Sequence, residues 1–224
     1  MPDLSFCITV KNRSRGICSR RTLTLFPNCV RALRESLDKV GNFTAELVVA
    51  DWNSTDWPLV EWLPAAWGDR PCRVITPDPK TYPLFSRGQG RNMAAKAAVG
   101  EVIAFIDADM LVSPETIWAG LTACGDGRAC FPQVMEYYLQ GETRTRPMPW
   151  GTGNSFVLRR HFEMSNGWFQ YSKWGFEDWG FMVSMANVAM IERPLIPTFI
   201  HQWHPDDWRT RNDVGGAKET FHES

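Results

Sequence analysis

At 224 residues the chain is long enough to bury one substantial core and lies within the size that α/β folds reach as a single domain. Its 24 Lys and Arg against 25 Asp and Glu leave a net charge of −1, which excludes a global field drawing it to nucleic acid or to an anionic membrane. No apolar run approaches the roughly 18 residues that span a bilayer, no secretion signal is legible, and the six cysteines form no C-x-x-C pair, so reduced thiols in a soluble cytoplasmic protein are expected.

Through the first half, short β-branched runs alternate with helical patterns, the sequence form of a mostly parallel sheet wrapped by helices. Leu4–Val10 reads as the first strand and 11–21 as a basic loop. Val30, Leu33, Leu37 and Val40 then fall at helical spacing, and Gly41 supplies a stop. Residues 45–50 form a second buried strand that ends in the turn-rich Asp51-Trp52-Asn53-Ser54-Thr55-Asp56. A short helix over 58–63 and a strand over Cys72–Ile75 follow. An Ala-rich helix over 91–99, entered through Gly88-Gln89-Gly90, precedes a strand over 101–106 that runs into Asp107-Ala108-Asp109. Pro114 opens the next helix at the favoured first-turn position.

The second half has a different texture. A strand over 129–137 leads into 140–149, whose Gly, Thr, Arg and Pro content predicts a mobile loop. Strand character returns at Ser155–Leu158 and 197–201, with a helix over 177–187 between them. A single domain over 1–204 with a polar tail over 205–224 is expected.

Three constellations carry chemistry. Asp107 and Asp109, one residue apart at a strand end, can share one hard divalent cation or divide their work between the ion and a ribose hydroxyl. Alone such a pair is more often two solvated acids in a turn; its position at the carboxyl end of a central strand, where open α/β sheets place ligands, raises it. In Trp174-Gly175-Phe176-Glu177-Asp178 an acid pair occupies the first turn of a helix, where the macrodipole favours the ionised form and a carboxylate can serve as base or as a simple cap. His201-Gln202-Trp203-His204 offers imidazoles that could complete a metal site; His201 is preferred because it ends the apolar run, and His204 stays open. The 11 Trp also suit surfaces that stack on sugar rings, although core packing explains most single ones.

Taken in this order, the segments resemble the metal-dependent glycosyltransferases of the GT-A fold, specifically family 2-like inverting enzymes and the galactosyl- and N-acetylgalactosaminyltransferases with a W-G-x-E-D segment. Thr9-Val10-Lys11-Asn12-Arg13 looks like the nucleotide-facing first loop, and the Asp51–56 turn is similar to the D-x-x-S-x-D turn that holds base and ribose, although it reads A-D-W-N-S-T-D where D-D-x-S-x-D is commoner. Gly90-Arg91-Asn92 and the stretch from Gly100 to Asp109 match the family's R-N…G-E-x-I-x-F-x-D-x-D pattern, and Gly151-Thr152-Gly153-Asn154 resembles the lining of the donor-sugar pocket.

The resemblance implies a nucleotide-sugar donor, a UDP-sugar above all, and a hydroxyl acceptor on a saccharide or other glycoconjugate. By it, Asp51 contacts uracil or ribose, Arg91 lies near the nucleotide, Trp174 offers a stacking face, and Glu177 bonds a sugar hydroxyl. Asp178 is then the base, and Asp109 with His201, and Asp107 in support, holds Mn²⁺ or Mg²⁺. Other readings are a sugar-phosphate nucleotidyltransferase, for which Asn12-Arg13-Ser14-Arg15-Gly16 is a poor version of the usual Gly-rich loop, and a non-catalytic carbohydrate-binding module.

Overall fold

The computed structural model describes residues 3–18, 20–41, 43–137, 143–148, 151–170 and 176–205. In chain order the elements are β1 (Leu4–Val10), β2 (Gly16–Cys18), β3 (Arg21–Leu23), α1 (Leu25–Val40), β4 (Ala45–Asp51), α2 (Leu59–Trp67), β5 (Cys72–Ile75), α3 (Arg87–Ala97), β6 (Val102–Phe105) and β7 (Met110–Leu111). They continue with α4 (Pro114–Gly125), β8 (Ala129–Cys130), β9 (Gln133–Tyr137), β10 (Thr145–Met148), β11 (Ser155–Leu158), α5 (Arg159–Met164), α6 (Glu177–Ala186), β12 (Ile191–Glu192) and β13 (Leu195–His201).

The main sheet runs β12-β8-β11-β6-β1-β4-β5, parallel throughout except for the pairings of β11 with β6 and β8. Its central strands are apolar on both sides because helices cover both faces. From β1, Leu4, Phe6 and Ile8 enter the core beneath α1, α2 and α4, where Phe6 meets the Trp67 ring edge-on at 6.2 Å. Cys7 points to the other side, against Ala94 and Ala95 of α3 and the Trp168 and Phe181 rings. A second sheet, β10-β9-β13-β7, stands at the carboxyl end of β6.

The strands expected at Leu4–Val10, Cys72–Ile75 and Ser155–Leu158 form as read, as do the helices stopped by Gly41 and opened by Pro114. Several readings need correction. The basic loop contains the β2–β3 hairpin, and the short helix continues through Pro64 to Trp67 because Trp62, Leu63 and Trp67 bury one face. Gly88 and Gly90 lie inside α3, whose N-cap is Ser86; its hydroxyl accepts from the Gln89 N–H at 3.3 Å. The strand over 129–137 is two strands of different sheets, parted at Phe131-Pro132, since Pro has no N–H for a continuous ladder. Part of the expected loop is β10, antiparallel to β9; residues 138–142 and 149–150 lie outside the described residues, as do Trp174 and everything beyond Pro205. None of the six cysteines is disulfide-bonded, and no helix among the described residues is long and apolar enough to cross a membrane.

Candidate active site

The carboxyl end of β6 delivers Asp107-Ala108-Asp109 to a cavity of about 980 Å³ whose walls also come from β1, α3, α6, β10 and the end of β13. Asp107 is fixed at both ends: its N–H donates to Asn154 Oδ1 at 2.8 Å, and its Oδ2 accepts from Asn154 Nδ2 at 3.0 Å. Its other oxygen meets Arg91, which reaches up from α3. Arg91 Nη2 lies 2.6 Å from Asp107 Oδ1 and Nη1 2.6 Å from Asp178 Oδ1, so one guanidinium bridges the strand-end acid and the acid of α6. Arg91 is only 1 % exposed, and its guanidinium lies 4.1 Å from the Trp168 ring centroid. Burial works against its charge, but Asp178, Asp107 and Glu177 outweigh that and hold the proton more tightly than usual. Burial, reinforced by Asp178 and Asp109, pushes Asp107 up against the pull of Arg91.

Gly153 forms the floor under this bridge. A Cβ there would stand 2.7 Å from Arg91 Nη2, 3.0 Å from Asp178 Oδ2 and 3.1 Å from Asp107 Oδ2, so only a glycine leaves the three charged groups room to meet.

Asp109 faces the opposite partners. His201 Nε2 lies 3.6 Å from its Oδ1 and His204 Nε2 3.3 Å from its Oδ2, with Arg13 Nε at 3.9 Å. Burial opposes ionisation of Asp109, yet the two histidines prevail and keep its carboxyl well below the usual range. Gln202 holds the histidine segment in place: its N–H donates to the Asp109 carbonyl at 2.9 Å, its Nε2 to the Leu25 carbonyl at 2.9 Å, and its Oε1 accepts from Asn28 Nδ2 at 2.9 Å. The ligand atoms of Asp109, His201 and His204 fall within 4.8 Å of one another, one carboxylate oxygen and two imidazole nitrogens, a donor set that fits a Mn²⁺-like ion. Sequence order favoured His201 over His204; the fold brings both. Asp107 does not join this trio, because Arg91 and Asn154 occupy its oxygens.

At the other end of the cavity the first loop is tied to the Asp51 turn. The Asn12 N–H donates to Ser54 Oγ at 2.9 Å, and Asn12 Oδ1 accepts from the Thr55 N–H at 2.8 Å. Asn12 takes a left-handed backbone, φ 52°, to do so. Asp51 Oδ1 accepts from the Ser54 N–H at 3.1 Å, and burial, partly offset by Ser54, raises its pKa. Thr9, Lys11 and Arg13 line the cavity, whereas Asn12 and Asp51 shape the loops behind it. Glu177 is 4 % exposed, 3.9 Å from Arg87, with its Oε2 unpartnered among the described residues; burial, helped by Asp178, raises its pKa. The lining also includes Phe85, Arg87, Glu136, Arg146, Met148, Trp179 and Arg193, none singled out from sequence. Arg146 and Glu136 pair at 2.7 Å across β10 and β9, strands whose approach to β6 no local pattern announces.

The family model for glycosyl transferase family 2 matches residues 17–185, most of the chain. The chain belongs to glycosyl transferase family 2. No protein in a search of curated proteins matches. Among solved structures, the family 2 chain is similar to S. aureus TarS 1-349 in complex with UDP-GlcNAc, with 14% identity, 90% of this chain and 59% of that chain covered, and a TM-score of 0.67. It is also similar to glucosyl-3-phosphoglycerate synthase from Mycobacterium tuberculosis in complex with Mn²⁺, UDP and glucosyl-3-phosphoglycerate, with 16% identity, 95% and 76% coverage, and a TM-score of 0.57. At these identities the likeness establishes the GT-A fold, a central mostly parallel sheet flanked by helices. The chain therefore spans 59% of the length of the TarS 1-349 chain.

Proposed function

We propose that this family 2 chain moves a sugar from a nucleotide-diphosphate donor, a UDP-sugar, to a hydroxyl of a saccharide acceptor, inverting the anomeric centre in one displacement. The reading is carried by the convergence of Asp178 and the Asp109–His201–His204 trio on one cavity, from segments far apart in the chain. Complexes of similar folds with UDP-GlcNAc, and with Mn²⁺ and UDP, support the choice of donor and ion.

Thr9, Lys11 and Arg13 receive the nucleotide and its diphosphate, where the two cations offset negative charge. Asp109, His201 and His204 hold the divalent ion, Mn²⁺ or alternatively Mg²⁺, which when bound neutralises charge gathering on the departing diphosphate. Asp178 takes the proton of the acceptor hydroxyl as its oxygen attacks the anomeric carbon; the bond from that carbon to the diphosphate oxygen breaks, and the nucleoside diphosphate leaves with the electron pair. Arg91 positions the base through the 2.6 Å contact and keeps its carboxylate aimed into the cavity. The buried Oε2 of Glu177, unpartnered among the described residues, accepts a hydrogen bond from a sugar hydroxyl, which satisfies that oxygen.

Asp178→Asn is expected to lower transfer by about a hundredfold or more, the scale of general-base catalysis, while UDP binding in calorimetry stays near wild type. Asp109→Ala is expected to abolish the Mn²⁺-dependent part of UDP binding. Near-normal turnover by Asp178→Asn would remove the base assignment, and an NMR reading of a retained anomeric configuration would remove the single displacement.

A further inference from the structure

Of the exposed large hydrophobic side chains among the described residues, two also line the catalytic cavity: Phe176, 80 % exposed, and Trp179, 58 % exposed. Trp179 sits in the first turn of α6 and Phe176 is the N-cap of that helix, outside the helical backbone; they flank Glu177 and Asp178 in sequence, and both border the cavity. Phe176 holds a left-handed backbone, φ 66° and ψ −27°, a conformation in which a bulky aromatic is an outlier and glycine is at ease. Packing among the described residues does not account for it, because a ring that is four-fifths exposed makes few contacts with them. Backbone strain retained around an outward-facing aromatic, two residues from the proposed base, points to a ligand surface.

We propose that Phe176 and Trp179 form the acceptor wall, and that the acceptor is a pyranose whose apolar C–H face lies on these rings. This rests on the transferase reading above. An aromatic face bordered by acceptor oxygens suits a polyhydroxylated ring, since C–H groups meet the rings while hydroxyls reach the carboxylates of Glu177 and Asp178 at the edge. An acyclic polyol phosphate would leave the two faces uncovered.

The test is saturation-transfer NMR on the protein loaded with UDP and Mn²⁺, using methyl β-D-galactopyranoside, methyl β-D-glucopyranoside and methyl N-acetyl-β-D-glucosaminide as probes, with glycerol 3-phosphate as the acyclic comparator. At least one pyranoside is expected to receive saturation from aromatic protons, and its Kd to rise about tenfold in Trp179→Ala. Phe176→Gly is expected to weaken the same pyranoside while leaving Tm unchanged or raised, because glycine relieves the left-handed backbone; a merely structural Phe176 would lose stability instead. Equal pyranoside affinity in wild type and both variants, or binding of glycerol 3-phosphate alone, overturns the acceptor wall. UDP calorimetry on the same samples separates the two levels: failure of wild type to bind UDP sinks the transferase reading, whereas normal UDP binding with indifferent pyranosides sinks only the wall.

Discussion

Arg91 sits where two acids that are 71 positions apart in the sequence, Asp107 and Asp178, would otherwise face each other without a counter-charge. Removing it with Arg91→Met is expected to cost about 3 kcal/mol, the low end for breaking a buried pair, because each carboxylate side chain keeps 34% of its surface open to the cavity. Urea denaturation measures the loss, and Arg91→Lys is expected to recover only part of it, since a single ammonium cannot fork to both acids. Gly153→Ala presses on the same three groups and is expected to cost about 1–3 kcal/mol and most of the transfer activity. Glu177 gives a pH signature. Its folded pKa is raised, so the folded state keeps a proton that the unfolded chain releases near the ordinary carboxyl value. Stability therefore falls as pH rises from that value through the raised one, and Glu177→Gln is expected to flatten that part of a Tm-against-pH curve.

At the level of elements, α3 and α6 both pack against Phe169, α3 against its carbonyl and α6 against its ring. A Cβ on Gly88 of α3 would fall 1.9 Å from the Phe169 carbonyl oxygen, and one on Gly180 of α6 would fall 2.6 Å from the Phe169 ring. Two glycines thus let the chain around Phe169 enter between the helices that supply Arg91 and Asp178. In an open helix Gly→Ala gains about 1 kcal/mol; at Gly88 the clash with backbone reverses the sign, and Gly88→Ala is expected to destabilise by about 3 kcal/mol in the same urea measurement. The sequence shows Gly88 as a helix entry, because local pattern cannot register what packs against it. Strands such as β1 and β6 were legible, since burial on both faces writes itself as a continuous apolar run. The break between β8 and β9 carried a signal in Pro132 that the surrounding apolar residues masked. Asp107, Asp109 and Asp178 were legible as acids at element ends, but the division of labour between them was not: it depends on Arg91 and Asn154 claiming one acid and two histidines the other.

Across the whole molecule, the Asp109–His201–His204 trio joins the end of β6 in the main sheet to the end of β13 in the second sheet. A cation that binds there and not to the unfolded chain is expected to raise Tm, by the equivalent of about 2.7 kcal/mol at a hundredfold excess over Kd, and EDTA is expected to reverse the shift. His204→Ala should remove most of that increment in a thermal-shift titration with Mn²⁺, a readout independent of turnover. The Gln202 clasp has a consequence in time as well as in space. Asp109 leaves the ribosome long before Gln202, yet its carbonyl, the Leu25 carbonyl and Asn28 all wait for that one side chain and its amide. The nascent polypeptide can lay down most of its main sheet before the proposed ion site is complete, so an ion held there would join the growing chain only late in synthesis.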